Sequence, residues 1–244
     1  GAPFDLHYVG DTYGLPLRRH DAQNNVVDNI TDWGLKQFIA HYKGCEPSPQ
    51  PSPSGRGSKT GARKITKEAI FHYCYAVLHD PVYCEKYAQN LKREFPRIPF
   101  YADFWRWADW GAELMRLHID YESVQPFELT RHDEPDVKAR AAGLAPKPLL
   151  KSDPAAGSIL LDSETTLRGV PPEAWAYRLG NRSALDWVLD QHKEKKPKDP
   201  TIREEFYTYR FADHKEQVID LLQRVVMVSV KTVKVVQAMQ TAAR

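Results

Sequence analysis

Nine histidines and three cysteines are the residue types in this chain best suited to hold a metal or move a proton. Their spacing argues against both tasks. No H-x-x-x-H or H-E-x-x-H pair occurs, and a zinc site needs at least three gathered protein ligands. His72 and His79, seven positions apart, can share a helix face, but a pair without a third ligand reads as ordinary surface or core residues. His118 falls on an apolar stripe and reads as a hydrogen-bonded core histidine. Cys45, Cys74 and Cys84 are odd in number and form no C-x-x-C, which points to a reducing compartment and hence the cytoplasm. Asp186 and Asp190, followed by Lys193 and Lys195, make an acid-acid-lysine grouping of nuclease type, yet one helix without a strand is poor geometry for two metals. Neither a G-x-x-x-x-G-K-[ST] loop nor a G-x-G-x-x-G turn nor a G-x-S-x-G elbow is present. The expectation is a chain with no catalytic residues and no metal.

Charge offers more. The 34 basic and 32 acidic residues leave a net charge of only +2, but the cations are clustered. From Ser54 to Lys67 the chain carries Arg56, Lys59, Arg63, Lys64 and Lys67 with no acid, and from Gln191 to Lys198 it carries Lys193, Lys195, Lys196 and Lys198 against Glu194 alone. Such islands are either solvated loops or holders of phosphate.

The elements that would position these residues follow from periodicity. The first thirty residues read as an irregular β opening, with short strands and Gly turns around Tyr8–Gly14. Thr31 caps an amphipathic core helix bearing Leu35, Phe38, Ile39 and Tyr42, ended by Gly44. Alternating prolines and glycines predict a mobile loop over 46–63. Thr66 starts a helix through Ile70, Cys74, Val77 and Leu78; Asp80-Pro81 caps the next, running to about Glu94. Asp103 opens another with Phe104, Trp107, Gly111, Leu114 and His118 on one face, while Trp105 and Trp110 off that stripe read as extra packing. Residues 126–158 read as an irregular connection. Beyond it come strands at Ser158–Asp162 and Thr165–Arg168, a helical turn at Pro171–Tyr177, a capping box at Ser183–Asp186, and a long helix from about His214 to Ala243. The fold class is α+β, predominantly helical with short antiparallel strands and a long C-terminal helix. Three stretches are expected, 1–125, 126–158 and 159–244, within one compact domain. No run of eighteen apolar residues suggests a membrane span, and Gly1-Ala2-Pro3-Phe4-Asp5 reads as the start of a chain excised or processed from a longer one, without a signal peptide.

Asn29-Ile30-Thr31-Asp32-Trp33, Ile65-Thr66-Lys67, Ile70-Phe71-His72-Tyr73, Leu78-His79-Asp80-Pro81-Val82-Tyr83, Lys86-Tyr87-Ala88 and Phe95-Pro96-Arg97-Ile98-Pro99 follow in an order that resembles a known family. So do Asp103-Phe104-Trp105, Gly111-Ala112-Glu113-Leu114, the run from Tyr177 to Val188, and the run from Val226 to Val233. Together they are similar to the C-terminal specificity region of the type ISP restriction-modification enzymes, over nearly the whole chain. The Pro/Ser/Gly/Arg stretch at 46–63 departs from that pattern.

The resemblance implies a non-catalytic target recognition domain that reads a short double-stranded DNA site. Adenine-N6 methylation and ATP-dependent restriction would be carried out by methyltransferase, helicase-like and nuclease parts of the same bacterial defence polypeptide. S-adenosylmethionine, ATP and Mg would belong to those parts. A radius of gyration of about 18 Å lets one face span roughly a turn of duplex. Lys59, Arg63, Lys64, Lys195 and Lys196 are then candidates to hold phosphates, with Arg97 a further cationic contact. Arg178, Asn181 and Arg182, ahead of a helix N-terminus, are candidates for a backbone contact or a structural turn. Arg131, Lys138, Arg140, Arg203 and Arg210, in the less family-like stretches 131–160 and 193–212, are candidate base readers. The competing class is a docking domain whose aromatic helices bind another protein without touching DNA.

Overall fold

The computed structural model describes residues 15–43, 63–194 and 209–244. The expected strands around Tyr8–Gly14 and nearly all of the loop 46–63 lie outside the described residues. The chain divides into two units, one of residues 1–119 with 234–244 and one of residues 120–233.

The first unit opens with a hairpin, β1 (Arg18–His20) against β2 (Val26–Asp28). Its turn is held by the Asp21 carboxylate, which accepts from the Gln23 and Asn25 backbone N–H groups at 2.9 and 2.8 Å. Helix α1 (Asp32–His41) is capped by Thr31, and α2 (Lys67–Val77) by Thr66, as their sequences predict. None of the α1 side chains is fully buried; Leu35 and Phe38 pack on the core while Ile39 and Trp33 are exposed. The expected core helix is therefore a peripheral one, with its apolar stripe only partly used.

The helix expected from Pro81 to Glu94 is two short ones, α3 (Pro81–Lys86) and α4 (Ala88–Leu91), broken at Tyr87, whose φ of −108° and ψ of 17° leave the helical region. No proline or glycine marks the break in the sequence. It accompanies a tertiary constraint: Tyr83 is buried, and its hydroxyl donates to the Arg97 carbonyl at 2.9 Å. Helix α5 (Phe104–Ile119) crosses α2 at Gly111, where an added Cβ would stand 1.7 Å from the His72 carbonyl oxygen. Tyr42, Tyr73, Tyr101, Phe104 and Trp107 fill the core beside this crossing. Two of the hydroxyls are satisfied on backbone: Tyr42 donates to the Tyr101 carbonyl at 2.6 Å, and Tyr73 to the Pro99 carbonyl at 2.7 Å.

His118 lies partly buried, as expected, its Nδ1 2.8 Å from the Tyr75 hydroxyl. The His79 ring stands 5.4 Å away. Burial, and next the proximity of His79, lowers His118 from 6.5 to about 4. Its stabilising contribution is complete above pH 6.5 and is lost as pH falls toward 4, because the unfolded chain takes up a proton that the folded one refuses. The loss is about 3 kcal/mol. Chemical denaturation between pH 7 and 4.5 should show a smaller decline for His118→Gln than for the parent; equal slopes would rule this out.

The second unit begins with a 3-10 turn at Tyr121–Ser123. Four strands follow: β3 (Thr130–Asp133), β4 (Pro148–Asp153), β5 (Ser158–Asp162) and β6 (Thr165–Arg168), an antiparallel sheet in the order β3-β6-β5-β4. Helix α6 (Val137–Ala141) lies between β3 and β4 in the chain. The stretch 126–158 thus contains regular structure that its composition conceals. β3, Thr-Arg-His-Asp, is an exposed edge strand with no apolar residue to announce it. β4 begins at a proline and carries a register shift, with Leu150 at φ 46°, so no clean alternation survives in its sequence.

Helix α7 (Pro172–Ala176) ends one residue before Tyr177, so the helical turn expected at Pro171–Tyr177 is slightly shorter at both ends. A small hairpin, β7 (Arg178–Leu179) and β8 (Arg182–Ser183), leads into α8 (Ala184–Gln191), where the Ser183 hydroxyl accepts from the Asp186 N–H at 3.1 Å. Helix α9 (Phe211–Gln240) is the long one expected despite its valines. Ile159, Leu161, Leu167, Leu185, Phe211 and Leu222 form the buried centre of this unit.

Candidate nucleic-acid interface

The guanidinium groups of the candidate residues are largely engaged within the protein. Arg63 forms a two-pronged pair with Asp109 at 2.8 and 2.7 Å and lies 4.0 Å over the Trp105 ring. Trp105 is buried and Trp110 partly so, which bears out the packing reading for both. Lys67, counted in the first basic island, is held by Asp32 at 2.7 Å and Asp28 at 3.3 Å.

In the second unit Arg131 bridges Asp133 at 2.7 Å and Glu216 at 2.8 Å, tying the edge strand β3 to α9. Arg140 grips Glu164 through Nε at 2.8 Å and Nη2 at 2.7 Å, and that bond holds the Glu164 carboxyl below the usual range. The fork-to-fork Arg140–Glu164 pair has fixed geometry, and Arg131 is shared between two carboxylates, so each guanidinium has fewer donors left for a ligand. Both residues are candidate readers by sequence; the structure gives both a bracing role, on either side of the β5–β6 turn and the edge strand.

At the β7–β8 turn, Gly180 takes φ 67°, the positive value a tight hairpin requires at its first central position. Arg178 donates to the Asn181 carbonyl across this turn. Arg182 reaches Asp190 on α8 at 2.9 Å, and Lys193 meets the same carboxylate at 3.1 Å. The bonds from Lys193 and then Arg182 lower the Asp190 pKa. The turn role allowed for Arg178 and Asn181 is visible in these contacts, and Arg182 ties the hairpin to the helix it precedes.

The remaining candidates differ. Arg97 is largely exposed with a long 3.4 Å contact to Glu94. Lys64, Lys138 and Arg210 are exposed and have no ion pair among the described residues. Lys59, Lys195, Lys196 and Arg203 lie outside the described residues.

The residues weighed for chemistry are also accounted for. Asp186 accepts from Ser152 Oγ at 2.5 Å and from Ser183 Oγ at 2.7 Å, fastening α8 to β4, while Asp190 is occupied by its two cations. Among the described residues no three His, Cys, Asp or Glu side chains gather to hold a metal ion. Cys84 Sγ donates to the Leu78 carbonyl at 3.2 Å, and burial pushes the Cys74 thiol up to about 12. No helix among the described residues is long and apolar enough to cross a membrane.

The sequence matches the Type ISP C-terminal specificity domain over residues 2–221. The chain belongs to that family. Solved structures resemble it over most of its length. The DrdV–DNA complex, determined by cryoEM, is 52% identical with a TM-score of 0.81, covering 96% of this chain and 22% of that one. A nuclease-deletion mutant of the Type ISP restriction-modification enzyme LlaGI, in complex with a DNA substrate mimic, is 25% identical with a TM-score of 0.56 over 75% of this chain and 17% of that one. The ATP-dependent Type ISP restriction-modification enzyme LlaBIII bound to DNA, 20% identical, shares the fold with a TM-score of 0.67 over 97% of this chain and 14% of that one. The specificity domain thus spans 22% or less of the length of these proteins. Among curated proteins none matches it.

Proposed function

We propose that this specificity domain recognises a target sequence in double-stranded DNA for a larger Type ISP restriction-modification enzyme, and is not itself catalytic. The observation that carries this reading is the 52% identity, over 96% of the chain, to a protein solved as a DNA complex. Adenine methylation with S-adenosylmethionine and ATP- and Mg-dependent restriction are assigned to other parts of the enzyme, acting in the cytoplasm. The many internal ion pairs support a division of labour: paired arginines brace the scaffold, and cations with no partner among the described residues are left to meet DNA.

Salt dependence tests this. Duplex affinity should fall steeply between 50 and 200 mM salt. Changing Lys64 to Ala should weaken binding equally on all duplexes and reduce the salt slope by roughly one unit, whereas Lys138→Ala and Arg210→Ala should each relax choice at a single position. An unchanged slope removes Lys64 from the interface, and an unchanged preference removes the other two. Binding of duplex that ignores salt, or no binding at all, favours the docking reading, for which Trp33, 72% exposed on α1, is the natural anchor.

A further inference from the structure

The four-stranded sheet of the second unit has two unlike faces. Thr165 and Leu167 on β6, with Ile159 and Leu161 on β5, point into the buried centre. By strand alternation Thr166 and Arg168 of β6 point the other way. Arg168 stands opposite Thr130 of β3 on one side and Ser158 of β5 on the other, and Thr166 stands between His132 and Leu160. Lys151 of β4, paired with Leu160, completes that second row. Thr130, His132, Lys151 and Arg168 are all exposed.

Arg168 differs from the arginines around it. Arg131, Arg140, Arg182 and Arg224 each hold a carboxylate at 2.6 to 2.9 Å. Arg168 has neither an ion pair nor a side-chain hydrogen bond among the described residues. The acid in its own row, Asp153, is turned to the Ala156 N–H at 3.0 Å, and Glu134 at the sheet's edge lies by His132 at 3.8 Å. The backbone of β6 is bonded on both sides, to β3 and β5, so the guanidinium stands on one of the best-fixed backbones in the unit.

On the reading of this chain as a DNA-recognition domain, we propose that this sheet face is a base-reading surface, with Arg168 donating to a guanine edge and Lys151 holding a flanking phosphate. A cationic face bearing hydroxyls and no competing carboxylate at its centre complements duplex DNA better than it complements an apolar partner. The geometry fits. β3 is the edge strand, so β3 and β6 can enter a major groove about 12 Å wide as a two-stranded ribbon, with Thr130 and Arg168 toward the bases. Lys151 lies two strands across and one pleat along, a Cα separation of about 12 Å, which places it over the backbone when Arg168 is at the groove floor. Guanine is the base whose O6 and N7 accept both prongs of an arginine.

Selection by this chain from a duplex pool with a randomised centre, followed by sequencing, tests the assignment. The parent chain should enrich one motif. Arg168→Ala should enrich the same motif with a guanine preference of roughly ten- to hundredfold lost at a single position. Arg168→Lys should retain part of it. Lys151→Ala should keep the motif and weaken every duplex alike. An unchanged motif with Arg168→Ala overturns the inference and leaves the face to another occupant, while the recognition reading stands. Uniform weakening with Arg168→Ala makes it a phosphate contact and equally overturns the inference. If the parent enriches nothing, the recognition reading itself fails. Circular dichroism of Arg168→Ala should match the parent, since the side chain holds nothing in place; an unfolded variant would give Arg168 a structural role and refute the proposal.

Discussion

Gly111→Ala is expected to destabilise the first unit by about 3 kcal/mol or more, lowering its melting temperature by roughly 10 °C. The added Cβ would stand 1.7 Å from the His72 carbonyl oxygen and 3.2 Å from the Ala76 nitrogen, both backbone atoms that cannot rotate away. Helices α2 and α5 must separate, and the tightly packed Tyr73 and Trp107 beside the crossing are pulled apart with them. The sign is the reverse of the usual one, since Gly→Ala inside a helix normally stabilises by up to about 1 kcal/mol. Gly34 in α1 supplies the comparison within the same unit: its Cβ would meet Thr31 Oγ1 at 3.5 Å, an ordinary separation. Gly34→Ala should leave the melting temperature unchanged or raise it. A drop of less than about 2 °C for Gly111→Ala, measured by circular dichroism, would contradict the close crossing.

Gly111 is legible in the sequence as a member of the α5 core stripe, but not as the point where a second helix comes closest. That depends on which helix is opposite. The same limit governs the rest of the chain. Caps at Thr31, Thr66, Asp80 and Ser183 are visible because a cap is a local arrangement of a side chain and an N–H two or three residues away. The core strands β5 and β6 are visible because the apolar run Ile159–Leu161 and the β-branched Thr165-Thr166 are local signals too. β3 and β4 are not, because what makes Thr-Arg-His-Asp a strand is the β6 ladder and the Arg131–Glu216 pair, 85 residues apart. The candidate interface is hidden for the same reason. Arg131 and Arg140 look free in a stretch rich in charge, and only the fold reveals Glu216 and Glu164 against them. Arg168 looks like the end of a strand, and only the sheet order reveals an interior strand with an open face.

The second large effect concerns Asp80, which the sequence shows as a helix cap and the structure shows as a fully buried charge. Its Oδ1 accepts from the Val82 N–H at 3.1 Å and from Arg244 Nη2 at 2.7 Å; its Oδ2 accepts from the Tyr101 hydroxyl at 2.9 Å and Arg244 Nε at 3.0 Å. Asp80 has no exposed surface, whereas the Arg244 side chain is 26% exposed. The two partners are therefore not equivalent. Arg244→Ala leaves a carboxylate enclosed without its counter-charge and should cost about 3 to 5 kcal/mol. Asp80→Asn keeps the amide oxygen as a cap and leaves an arginine that can turn to water, so its cost should be smaller. The double variant should be more stable than Arg244→Ala alone, because the charge that was stranded is gone. A double-mutant cycle by urea unfolding reads this coupling directly. Additive losses, with the double variant the least stable of the three, would show that Asp80 and Arg244 stabilise the unit independently and that the buried pair is not what fastens Arg244 to the start of α3.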